Sequence, residues 1–215
     1  TGANSTKEAI YLTQAAKTAG ADASLLVTPY YNKPSQRGLV EHHKAIAKAV
    51  NLPQLLYNVP SRTGVDMENI TVMELSDVKN IVGIKDATGD ISRIKSLKKE
   101  INSNFSFISG DDLSFIEFLE EGGDGVISVT ANVKPFEMHK IITSIKNKNL
   151  LEAKQLNRKL DLLHQAMFIE SNPIPVKWML EKMKKTGSGI RLPLVPLAAK
   201  YHDAIINEMT KLKLL

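Results

Sequence analysis

Ile81-Val82-Gly83-Ile84-Lys85-Asp86-Ala87-Thr88-Gly89-Asp90 is the stretch that decides the fold. Its first four residues are apolar or glycine without polar alternation, the pattern of a strand in a parallel sheet covered on both faces. The run breaks at Lys85-Asp86, and Asp90 stands where a side-chain oxygen caps a helix. In that helix Ile91, Ile94, Leu97 and Ile101 recur at helical spacing. A buried strand, a polar strand end and a capped amphipathic helix make one βα unit.

Moving outward from this unit, the same pattern recurs. Strands are predicted over residues 24–28, 54–58, 81–85, 105–109 and 125–129. Ser5-Thr6-Lys7-Glu8 is a capping box that opens a helix running to Gly20. A second helix follows Ser35 with Val40, Ile46, Ala47 and Val50 on its apolar side, and a third covers 70–75. Residues 114–119 form the helix after the fourth strand, closed by Gly122-Gly123, and Pro135 opens the one after the fifth. Beyond it the strand signal stops. Ala153, Leu156, Leu160, Leu163 and Met167 make a helical stripe, with further helices near 176–183 and 196–212. The expected organisation is an α/β portion over 1–148 and a helical domain over 149–215. Five consecutive βα units without a phosphate-cradling glycine motif after any strand favour part of a (β/α)8 barrel over a doubly wound nucleotide-binding sheet.

Composition narrows the function. The 215 residues are 43% hydrophobic and 24% charged, which is ordinary for a globular protein. A formal charge of +5 is mild and calls for no nucleic-acid partner. The absence of cysteine excludes disulfides, thiolate metal sites and a cysteine nucleophile. No apolar run approaches the roughly 20 residues that span a bilayer, so no membrane partner is expected and a cytoplasmic location is the default. The chain starts on Thr1 in a turn that completes nothing before it, and reads as a fragment.

In a barrel the chemistry lies at the carboxyl ends of the strands. There Lys85 follows an apolar run into the mouth, where desolvation disfavours its ammonium form and prepares it to attack a carbonyl. Against that, most strand-end lysines are solvated or paired, here with Asp86. Tyr57 supplies a phenol able to shuttle a proton, or fills a barrel layer. Arg62, on a turn between Ser61 and Gly64, suits a bidentate grip on a carboxylate, as would any surface arginine on a loop. Tyr30-Tyr31 reads as a packing pair or an interface anchor and not as catalysis. His42, His43, His139, His164 and His202 sit on helices without metal spacing and read as surface or packing residues. Asp111-Asp112 reads as a cap for the next helix, and no metal site is expected.

G-A-N-S-T, V-T-P-Y-Y-N-K-P-S-Q, L-Y-N-V-P-S-R-T-G, G-I-K-D-A-T-G-D, S-G-D-D, G-V-I-S-V-T-A-N and N-P-I-P-V-K-W, in this order, resemble the dihydrodipicolinate synthase family from the first residue to the last. The resemblance implies a (β/α)8 barrel with a carboxyl-terminal helical domain, and condensation of pyruvate with aspartate semialdehyde toward diaminopimelate and lysine, without a cofactor. It implies that Lys85 forms an imine with pyruvate, that Tyr57 relays protons and that Tyr31 reaches across a dimer interface. Arg62 is then the holder of the aldehyde's carboxylate, and Gly110 and Ile127 are backbone positions of the pyruvate pocket. Asn4, Glu8 and Tyr30 match positions where lysine binds in lysine-sensitive members, and a homotetramer, a dimer of dimers, is implied. The front of the barrel, with the family's relay threonine, has no counterpart in these residues, so the chain alone is expected to be inactive. The alternatives are a sibling pyruvate aldolase of the N-acetylneuraminate lyase type and an inactive truncated paralogue or assembly subunit.

Overall fold

The structure is a computed structural model describing residues 1–101 and 104–215. Two compact units divide the chain, Thr1–Ile127 and Ser128–Leu215.

In the first unit α1 (Thr6–Thr18) precedes β1 (Ser24–Val27), α2 (Gln36–Ala49) and β2 (Gln54–Asn58). The single turn α3 (Pro60–Thr63), α4 (Asn69–Ser76), β3 (Ile81–Asp86) and α5 (Ile91–Glu100) follow, then β4 (Ser106–Ser109), α6 (Phe115–Glu120) and β5 (Gly125–Val126). Local chemistry sets these starts. Ser5 Oγ accepts from Glu8 N at 3.4 Å, Ser35 Oγ from Gly38 N at 3.3 Å and Asp90 Oδ1 from Ser92 N at 2.9 Å, each satisfying a helical donor that has no partner inside the helix. In the capping box only this hydroxyl half forms; among the described residues the Glu8 carboxylate makes no bond back to Ser5.

The five strands are all parallel, in the order β1-β2-β3-β4-β5. Sequential order without a reversal is the arrangement of a barrel wall; a doubly wound sheet reverses at its switch point. Side chains alternate across the sheet. Leu26, Leu56, Ile84 and Phe107 are at most 1% exposed. The last three pack with Leu39 and Ala47 of α2, Val72 and Leu75 of α4, Ile94 and Leu97 of α5 and Phe118 of α6. Their strand neighbours on the opposite face, such as Leu55, Val82 and Ile108, are only half-buried, where the apolar runs predicted burial on both faces.

In the second unit α7 (Pro135–Lys146), α8 (Leu150–Arg158), α9 (Asp161–Ala166), α10 (Ile174–Lys182) and α11 (His202–Lys211) bury Ala153, Leu163, Met167, Met179, Ile205 and Met209. Asn149 caps α8, and Ser144 of α7 donates to Glu152 of α8 at 3.0 Å.

Several expectations need correction. The predicted strand over 125–129 ends at Val126, because Ser128 Oγ accepts from Ala131 N at 3.0 Å and turns the chain into a 3-10 helix over Thr130–Asn132. The stripe from Ala153 to Met167 is two helices. Leu160 N bonds Asn157 O at 2.7 Å, a tight turn that stops α8 while leaving Leu160 and Leu163 on the buried side. The last helix starts at His202, since Ala198 is extended, with ψ 135°. The turn read at Arg62 is present as a single helical turn, closed by Gly64 in the left-handed region, φ 74°. Of the histidines read as surface or packing residues, His42, His43 and His164 are the packing ones, at most 5% exposed.

Candidate active site

Tyr57 and Lys85 are directly opposite one another in the β2–β3 register, and Asn58 opposes Asp86. Alternation therefore puts Tyr57 and Lys85 on the face away from the helices, at the carboxyl ends of adjacent strands. The Lys85 Nζ lies 4.2 Å from the centre of the Tyr57 ring. The next strand closes the same point. Gly110 N donates to Asp86 O at 2.7 Å, and a Cβ on Gly110 would stand 2.8 Å from Lys85 Cε, so only glycine lets the β4 end pass this close. Ile127 N continues the ladder to Ser109 O at 2.9 Å, while its side chain is 48% exposed.

The electrostatics follow from that placement. Burial lowers the pKa of Lys85 below the ordinary ammonium value, and the Asp112 carboxylate pulls the other way. Burial raises the pKa of Tyr57, opposed by the Arg62 guanidinium. The pair is thus a lysine with eased access to its free amine beside a phenol that keeps its proton at neutral pH. Asp112 is a functional neighbour of Lys85 that the sequence does not single out. The cap predicted for the pair is not made: Asp111 Oδ2 accepts from Ser114 N at 2.9 Å in the turn before α6, whose N-cap Ser114 makes no side-chain cap bond, while Asp112 is buried at 1% exposure and its carboxylate opposes the fall in the Lys85 pKa. Two adjacent aspartates after a strand do not reveal which one turns inward.

Around this centre the structure gathers the other predicted residues in two places. Arg62 is exposed on α3, and Lys33 lies along that turn, its Cε 2.9 Å from where a Cβ on Gly64 would stand. The loop holding Lys33 also holds Tyr30, 42% exposed, and Tyr31, 89% exposed with φ 72°. A non-glycine residue in that region is held there by its surroundings. The Asn32 side chain donates to Asn4 O at 2.9 Å, which brings Asn4, Tyr30 and Tyr31 into one surface. Glu8 is exposed on the first turn of α1. Tyr31 is turned to solvent and not to Lys85. Among the described residues no three histidine, aspartate or glutamate side chains gather as for a metal, and no helix is long and apolar enough to cross a membrane.

Known proteins share this chain's sequence and its fold. A 4-hydroxy-tetrahydrodipicolinate synthase of Thioalkalivibrio sulfidiphilus is 56% identical over 205 residues, covering 95% of this chain and 70% of the relative. The crystal structure of the chloride-inhibited dihydrodipicolinate synthase from Acinetobacter baumannii complexed with pyruvate superposes with TM-score 0.97 at 53% identity, over all of this chain and 74% of that one. The synthase from Cyanidioschyzon merolae with lysine bound superposes with TM-score 0.96 at 35% identity, over all of this chain and 73% of that one. Residues 1–212 match the model of the Dihydrodipicolinate synthetase family, and the chain belongs to that family.

Proposed function

We propose that this protein is a lysine-imine lyase that condenses pyruvate with aspartate semialdehyde, the reaction of lysine and diaminopimelate biosynthesis carried out by its relatives. The observation that carries the reading is the half-buried Lys85 with its Nζ 4.2 Å from the Tyr57 ring centre, at the ends of two adjacent parallel strands. The free amine of Lys85 adds to the keto carbon of pyruvate, and loss of water gives the imine. Removal of a methyl proton from the imine gives an enamine, whose carbon attacks the aldehyde carbon of the second substrate. Attack by that substrate's own amine then cyclises the product and releases Lys85. Tyr57, its phenol kept protonated by burial, gives its proton to the carbinolamine hydroxyl that leaves as water, and its phenolate is reprotonated by the methyl proton lost when the enamine forms.

Arg62 takes the aldehyde's carboxylate, and the backbone at Gly110 and Ile127 lines the pyruvate pocket. Tyr31, exposed and held at positive φ, is fitted to reach a second copy of the chain, as in a dimer of dimers. The bond from Asn32 to Asn4 O supports a shared surface for Asn4, Glu8 and Tyr30, where end-product lysine would act. In this reading residues 1–148 belong to the barrel, with α7 as the helix after its last strand, and 149–215 form the helical domain.

The test is the new carbon–carbon bond. Purified enzyme given [3-13C]pyruvate and aspartate semialdehyde should join the labelled carbon to the former aldehyde carbon, read by NMR. Coupling with N-acetylmannosamine and not with the semialdehyde would favour the sibling aldolase and overturn the proposal.

A further inference from the structure

Behind the candidate site, on the helix side of β2 and β3, lies a buried polar group that the mechanism does not use. Asn58 is fully buried and Asp86 is 7% exposed. Asn58 Nδ2 donates to Asp66 Oδ1 at 2.7 Å and to Asp86 Oδ2 at 3.4 Å, and its Oδ1 accepts from Met67 N at 3.0 Å. Asp86 Oδ1 takes the Thr88 backbone N–H at 2.9 Å and the Thr88 hydroxyl. Arg93 joins both carboxylates: its Nε donates to Asp86 Oδ2 at 3.0 Å, Nη1 to Asp66 Oδ2 at 3.4 Å and Nη2 to Met67 O.

Arg93 stands at the third position of α5 after the Asp90 cap, where the helix dipole disfavours a cation. Its side chain is nonetheless 11% exposed and draws its donors inward. What it holds is informative. Asp86 is the residue after Lys85 on the same strand, and Asp66-Met67 continue directly from the turn bearing Arg62. One guanidinium thus fixes both the strand end that carries the lysine and the segment that carries the arginine, and only a planar fork with several donors does so at once.

We infer that Arg93 is a positioning residue for this reaction: through Asp86 it keeps the Lys85 strand end neutralised and in register, and through Asp66 and Met67 it sets the Arg62 turn for the second substrate. The inference rests on the assignment of Lys85 and Arg62 made above. The groups facing Lys85 are Tyr57 and Asp112, with Arg62 acting on Tyr57; those around Arg93 are Asp66, Asp86 and Asp90. Losing the guanidinium leaves Asp86 a buried carboxylate without a cation behind Lys85, held by the neutral Thr88 and Asn58 donors. Side chains leaving opposite faces of a strand end roughly 10 Å apart, and at an effective dielectric of about 20 such a charge raises a lysine pKa by about one pH unit.

The experiment follows the pH midpoint of pyruvate-imine trapping by borohydride, with the KM for aspartate semialdehyde. Arg93→Met should move the midpoint up by about one pH unit, and Asp86→Asn/Arg93→Met should bring it back. Arg93→Lys keeps a charge but not the fork, so its midpoint should stay near that of the parent while the aldehyde KM rises roughly tenfold and the pyruvate KM does not. The lysine variant is read alone if the methionine variant does not fold. A purely structural role would lower the melting temperature and leave midpoint and KM ratio in place, and that result overturns the inference. If the unsubstituted enzyme traps pyruvate at Lys85 and the variants match it, only the role of Arg93 fails; if Lys85 itself is never labelled, both assignments fail.

Discussion

Adding one methyl group at Gly110 should disable the lysine without unfolding the protein. A Cβ there would stand 2.8 Å from Lys85 Cε, 2.8 Å from Ala87 Cβ and 3.3 Å from Asp86 O. Carbon pairs rest about 3.5–4.0 Å apart, so Lys85 must withdraw by roughly 0.7–1.2 Å. The backbone has little room to yield, because Gly110 N is bonded to Asp86 O at 2.7 Å. A misplacement of about 1 Å at a reacting group costs roughly a hundredfold in rate, or about 2.7 kcal/mol of barrier. The overpacking itself costs about 1–3 kcal/mol of stability, which a domain of ordinary stability survives. The assay is the rate of borohydride-trapped imine at saturating pyruvate, with thermal melting as the control for folding. Ala87→Gly added to Gly110→Ala removes one clash and leaves the other, so stability should recover and the trapping rate should not. A Gly110→Ala enzyme that traps pyruvate at the parent rate would refute the placement of Lys85 against this strand end.

Arg62→Ala should raise the aldehyde KM or cut turnover while imine formation with pyruvate persists. Arg62 is exposed, so the lost charged bonds are worth about 1.5–3 kcal/mol, roughly a ten- to hundredfold effect in steady-state kinetics. His43, fully buried, has its pKa pushed down to about 3 by burial and by neighbouring His42. It stays neutral in the fold while the unfolded chain charges below about pH 6.5, so its contribution to stability is intact above that pH. The contribution is lost as pH falls toward 3, at up to about 1.4 kcal/mol per pH unit. Melting curves of His43→Leu should show a shallower acid slope than the parent. Glu8→Ala should blunt inhibition by millimolar lysine and leave uninhibited turnover nearly intact, measured by initial rates; parent turnover indifferent to lysine would remove that site.

The βα alternation was legible because the strands are apolar and their ends are not. Lys85 and Tyr57 stood out for the same reason, a polar group after an apolar run. What escaped was chemistry that sequence spacing does not encode. Ser128 reads as a strand residue until its hydroxyl is seen to bond Ala131 N, and Leu160 keeps the helical period across a break that hydrogen bonds at Asn157 create. His42 and His43 look polar on a helix but are buried with their rings 5.0 Å apart. His164 is held inside by Thr130 Oγ1 at 2.7 Å and Asn157 Oδ1 at 3.1 Å. Arg93 resembles any helix-surface cation; its partner Asp86 is near in sequence, but Asp66 is 27 residues away, and no spacing rule shows that one guanidinium reaches both.

The central claim is that Lys85 is the nucleophile. Incubating the enzyme with pyruvate and borohydride, then mapping peptides by mass spectrometry, tests it most directly. The account predicts one reduced three-carbon adduct, on the peptide containing Lys85, absent from Lys85→Ala. An adduct on another lysine, or one that persists undiminished in Lys85→Ala, would contradict it.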